Sequence, residues 1–84
     1  MPEIARFFGI IIKMYSLGKE HNPPHVHAQY EDNAAEFDIN TEEILSGFLP
    51  DKAKSLVTEW IGIHTHELEE IWEPQIFKRL PPLE

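Results

Sequence analysis

The sequence predicts an α+β domain: a small antiparallel sheet of three strands, with a short fourth as an alternative, packed on one long C-terminal amphipathic helix. Three observations carry that expectation. A β-branched run stands near the start, two alternating segments flank a polar loop, and a helical apolar stripe fills the second half. The chain of 84 residues makes one domain, 1–84, near the small end of what a single core stabilises without staples.

The first strand is read over 7–15. Ile10, Ile11 and Ile12 are stiff at χ1 and suit a pleated surface better than a helix. Phe8, Ile10, Ile12 and Met14 share one face; Phe7, Ile11, Lys13 and Tyr15 share the other. Ser16 to Pro24 follows as a polar loop with Gly18 and two prolines.

Residues 25–40 read as a hairpin around Glu31-Asp32-Asn33-Ala34. Setting Tyr30 opposite Ala35 places Ala28 against Phe37 and Val26 against Ile39, an all-apolar face. The other face then pairs Gln29 with Glu36 and His27 with Asp38, and His25 reaches Asn40. A one-residue slip would mix the faces.

Asn40-Thr41-Glu42-Glu43 has the form of a helix start, yet Gly47 and Pro50 leave room only for one turn or a short strand over 44–48. Both readings stay open. The long helix is expected over 50–73, with Pro50 at its first position. Ala53, Leu56, Val57, Trp60, Ile61, His64, Leu68, Ile71 and Trp72 form one continuous helical stripe. Gly62 is its weak point, and Pro74 ends it. In the tail, 74–84, Ile76, Phe77 and Leu80 can strap back onto the core.

Composition narrows the chemistry. With no cysteine, disulfides and thiolate-held zinc are excluded, and His, Asp and Glu remain as strong metal ligands. No apolar run reaches membrane-spanning length, and the opening residues lack the features of a secretory signal, so the expected location is the cytoplasm. Residues 1–30 carry a net charge of +1 and residues 31–84 a net of −9, within a total of −8. That balance disfavours a phosphate backbone as partner and suits a basic protein or a cation.

His21, His25 and His27 fall within seven residues, around a Pro-Pro step. Imidazole serves as ligand, acid or base near neutral pH. His25 and His27 lie two apart on a strand, so their rings leave the same side. Asp38 opposite them would complete a metal-ligand set or support one. The simplest reading is a polar sheet face; the sharper ones are a metal site or acid–base chemistry. His21 falls in the loop and reads as solvated. His64 stands on the apolar stripe with Glu67 three residues on and Trp60 four back. A carboxylate can orient its ring there, as for a satisfied core histidine or for a general base. If the helix covers the apolar sheet face, His64 and the His25–His27 pair lie on opposite sides, as two candidate sites.

The opening residues Met1 to Ile12, the His21-x-Pro-Pro-His25-x-His27 run, Gly47-x-Leu-Pro50, and Glu59-Trp60-x-x-x-His64-x-x-Glu67-Leu68 with Trp72 together resemble the bacterial domain-of-unknown-function family DUF4160. Val26 departs from it, standing where the family often has an aromatic. The resemblance implies a small cytoplasmic protein without an established activity, encoded beside another small protein in an arrangement like that of toxin–antitoxin pairs. Its motif positions fall on His25, His27, Trp60, His64 and Glu67, with Arg6 and Phe8 near the start.

Three functions are weighed on these grounds. The first is a protein-interaction component of a two-gene, toxin–antitoxin-like module, binding the neighbouring gene's product through strand 7–15 or its edge, with Arg6, Phe8, Lys13 and Trp60 as contact candidates. A homodimer is the second partner expectation. The alternative is a small metal-independent nuclease, with His25, His27, His64 and Glu67 as candidate acid–base residues and Arg6 or Lys13 on the phosphate. The third is a metal-binding domain built on His25, His27 and Asp38. No resident cofactor is expected, with His25, His27 and Asp38 as the candidate ligands if a metal is held.

Overall fold

The computed structural model describes residues 3–14, 24–72 and 78–83. The sheet starts with a break that the sequence reading did not place. In place of one strand over 7–15, the chain forms β1 (Glu3–Phe7) and β2 (Ile10–Lys13), paired antiparallel with Phe7 opposite Ile10. The two-residue turn between them holds Phe8 at φ 50° and Gly9 at φ 80°. Positive φ at both central residues is what a type I′ hairpin turn requires, and Gly9 adopts it without steric cost. The isoleucine run therefore belongs to the second strand of a hairpin. Ile10, Ile12 and Met14 are buried as their shared face demands, whereas Phe8 leaves that face for the turn. Tyr15, the rest of the loop to Pro23 and His21 within it lie outside the described residues.

β3 (His25–Tyr30) and β4 (Asn33–Asp38) form the second hairpin. Its register is two residues away from the expected one: Tyr30 faces Asn33, Ala28 faces Ala35, Val26 faces Phe37, His27 faces Glu36 and His25 faces Asp38. The loop shrinks to Glu31-Asp32, with Glu31 at φ 55°. An even shift returns every side chain to its original face, so the apolar face of Val26, Ala28, Ala35 and Phe37 stays buried. What changes is the facing partner at each position, on both faces.

After β4 the chain turns sharply. The Asp38 carboxylate accepts the N–H groups of Asn40 and Thr41 at 2.7 and 2.9 Å, the Asp38 N–H donates to the Glu43 carbonyl, and Glu42 sits at φ 66°. That turn takes the place of a helix start at Asn40, and Ile44–Gly47 forms β5, the strand alternative. The sheet is a five-stranded antiparallel meander in the order β1-β2-β3-β4-β5.

α1 spans Asp51–Trp72, and the Lys54 N–H opens it on the Pro50 carbonyl at 2.8 Å. Every stripe residue is buried except Leu56, which is half-buried against the core. The helix does kink, but at His64 (φ −111°, ψ 16°), two residues beyond Gly62. Beside it the Thr65 hydroxyl donates to the Ile61 carbonyl at 2.8 Å, a competing bond that bends helices. Trp60 stacks on Phe7 at 5.8 Å between ring centroids, fastening helix to sheet. Among the described residues no helix is long and apolar enough to cross a membrane.

The described part of the tail returns to the sheet. The Leu80 N–H donates to the Ile4 carbonyl at 2.8 Å, the Trp60 indole N–H donates to the Pro81 carbonyl at 2.9 Å, and Leu80 and Leu83 are buried. Ile76 and Phe77 lie outside the described residues. Glu3 ties the two ends together, accepting from Arg6 at 2.8 Å and from Arg79 at 2.7 Å. Hydrogen bonds from Arg6, then from Arg79, hold the Glu3 carboxyl down at about 2. A lowered folded-state value contributes stability above the unfolded value of 4.5 and loses it as pH falls toward 2. The stability gap between the wild type and Glu3→Gln should therefore be full at pH 6, shrink below pH 4.5 and vanish near pH 2, as read by thermal unfolding at each pH. A gap that does not change with pH would remove the ion pair as its cause.

Candidate functional site

Alternating strand direction sorts the chemistry into two poles. The turns at 8–9 and 31–32, the exit of β5 at Gly47 and the start of α1 gather at one end of the sheet. The start of β3 and the end of α1 gather at the other, where the His25 ring lies 5.2 Å from that of Trp72.

At this second pole the β3 pleat sends His25 and His27 to the same side, with ring centroids 5.2 Å apart. Glu36, opposite His27 on β4, joins them, with its Oε1 3.9 Å from the His25 Nε2. One ligand atom from each of His25, His27 and Glu36 can be chosen so that all lie within 4.8 Å of one another. His25 is buried, while His27 and Glu36 are half-buried and keep one side of the cluster toward solvent. Asp38, the acid expected here, faces His25 in the register but spends its carboxylate on the backbone of Asn40 and Thr41. Lys13 is the register partner of His27 on β2 and puts one positive charge beside the cluster.

His64 forms a separate arrangement in the middle of α1. Its Nδ1 lies 2.5 Å from the Glu67 Oε1, and its ring rests on Trp60 at 4.9 Å. The side chain is only 9% exposed. This is how a buried imidazole is satisfied inside a core. Eight residues of helix, roughly 12 Å of rise, separate it from Trp72 at the histidine pole. The structure does not draw His64 and Glu67 into one constellation with His25 and His27.

The contact candidates part company. Trp60 is fully buried, with its ring on Phe7 and its N–H on Pro81, so the stripe reading of it as core holds and a surface role does not. Arg6 is exposed, but its guanidinium is held by both oxygens of Glu3. Of the described residues in 7–15, Ile10–Lys13 form the internal strand β2, while β1 stands at the sheet edge, where the Ile4 carbonyl accepts the Leu80 N–H.

Phe8 stands out. It is 59% exposed and held at φ 50°. With Tyr30, Lys52, Ala53 and Leu56 it lines a groove of about 380 Å³ at the first pole, and the exposed Phe48 follows the β5 exit nearby. Tyr30, Leu56 and Phe48 were not singled out from the sequence as surface residues. Phe8-Gly9 as a turn was the signal that could have pointed to them.

A family model described as "Domain of unknown function (DUF4160)" matches residues 9–73. No curated protein and no solved structure matches the chain.

Proposed function

The chain belongs to the DUF4160 family, and from its apolar pole we propose that it is a protein-interaction component of a two-gene, toxin–antitoxin-like module, docking a small basic partner protein on Phe8. The observation that carries this is the cost of Phe8. A bulky L-residue held in the left-handed region costs on the order of 1–3 kcal/mol. Asn-Gly would make the same turn without that cost. Among the described residues the Phe8 ring meets Phe7 edge-on at 6.4 Å, and more than half of the residue remains exposed. A contact outside the chain is what offsets the strain.

The groove beside Phe8 is of the size that takes one or two side chains, and aromatic anchors are the usual centres of such interfaces. The net charge of −8 favours a basic partner by long-range attraction. The nuclease alternative has less support, because Arg6 is engaged by Glu3 and the acid excess repels phosphate.

The test is co-expression with the product of the adjacent gene, followed by size-exclusion chromatography of both proteins. One co-eluting complex, and a monomer when the chain is expressed alone, is the expected result. Two proteins eluting apart, or a stable homodimer of this chain that excludes the neighbour, would overturn the proposal.

A further inference from the structure

We infer that His25, His27 and Glu36 form a binding site for a divalent transition-metal ion of the zinc class. The argument begins with the backbone. Residues two apart on β3 project to one side, and residues in register on adjacent strands stand side by side. Together these place two imidazoles and one carboxylate on a common patch without any loop.

The distances suit an ion. Zinc holds nitrogen and oxygen ligands at about 2.0–2.2 Å in a tetrahedron, which sets the ligand atoms roughly 3.4 Å from one another. The His25 Nε2 and Glu36 Oε1 are 3.9 Å apart, and no pair in the chosen set exceeds 4.8 Å.

Packing also prepares the site. The His25 ring packs against both His27 and Trp72, each 5.2 Å away between centroids. Strand pairing fixes the Cα positions of His27 and Glu36. Preorganised ligands on rigid elements lose little freedom on binding.

The donor set decides the ion class. Two imidazole nitrogens and one carboxylate oxygen, with no thiolate available, suit zinc or ferrous iron better than calcium, magnesium or copper(I). Among the described residues the set counts three protein ligands, one short of a full tetrahedron. Lys13 on the neighbouring strand adds one adverse charge, which Glu36 counters.

The test is a zinc chloride titration, by isothermal calorimetry, of the full chain after chelator treatment. The expected result is one ion per chain. His27→Gln and Glu36→Gln should each lower the affinity by at least the roughly 10- to 100-fold that losing a mere supporting hydrogen bond costs a metal site. Far-UV circular dichroism of both variants should match the wild type, since both side chains are half-buried. His66 and Glu70 form an exposed pair at 3.2 Å on α1 and are the rival zinc ligands. His66→Gln should leave the binding unchanged. Absence of stoichiometric zinc uptake, unchanged affinity in the folded His27→Gln and Glu36→Gln variants, or loss of binding in His66→Gln would each overturn the site.

Discussion

Gly47→Ala should leave the protein largely unfolded, or with a urea midpoint far below that of the wild type. Gly47 has φ 87°, and a Cβ built there falls 2.2 Å from the Ala34 carbonyl oxygen and 2.8 Å from the Ala35 Cα. Both are backbone atoms of the neighbouring strand, so neither can swing aside as a side chain would. The Ala34 carbonyl also accepts the Phe48 N–H at 3.0 Å, and moving it would break that bond. Overpacking costs about 1–3 kcal/mol, and a left-handed L-residue about 1–2 more. The sum, about 2–5 kcal/mol, reaches the low end of a small domain's stability, on the order of 0.05–0.15 kcal/mol per residue. Gly9→Ala supplies the comparison. Its φ is 80°, but its Cβ would meet only the Tyr30 ring at an ordinary 3.5 Å. Equal urea midpoints for the two variants would show that backbone conformation alone, and not the approach of β5 to β4, sets the cost.

Trp60→Ala should cost about 3–5 kcal/mol, the range for deleting a fully buried aromatic. The indole is the common neighbour of three parts of the fold: Phe7 of β1, His64 at the helix kink and the Pro81 carbonyl of the tail. Trp60→Phe keeps most of the ring and loses the hydrogen bond, for about 1 kcal/mol. Urea denaturation of the two variants, with limited proteolysis to report release of residues 78–83, separates volume from hydrogen bonding. The same loss in both would mean that the bond to Pro81, rather than ring burial, fastens the helix to the sheet.

The helix was legible because its signal is redundant. Nine stripe positions agree on one face, and even His64, the polar member, is buried where the stripe puts it. The sheet was legible in class but not in detail, for two distinct reasons. Phe8-Gly9 lacks the Asn-Gly signature of a type I′ turn, so the first hairpin reads as one strand. In the second hairpin, apolar alternation forbids odd slips of register but is blind to even ones. The chain takes the register with the shorter turn, and that choice exchanges Asp38 for Glu36 beside His27. Face membership of His25 and His27 could thus be read from the residues, while the identity of their acidic neighbour could not. Phe8 shows the opposite case. Its contact role was an expectation from resemblance, and only the backbone angle and exposure supply a physical reason for it.

On the proposed function Phe8 serves a partner at the expense of the fold. Phe8→Asn places a residue at home in the left-handed region at the same turn position. This one variant, measured for both its urea midpoint and its affinity for the adjacent gene's product, tests both sides of that exchange. The expected result is a fold more stable by about 1 kcal/mol and an affinity weaker by roughly 30-fold or more, the loss typical of an aromatic anchor. An affinity equal to that of the wild type, or a lower midpoint, would rule out Phe8 as the docking anchor.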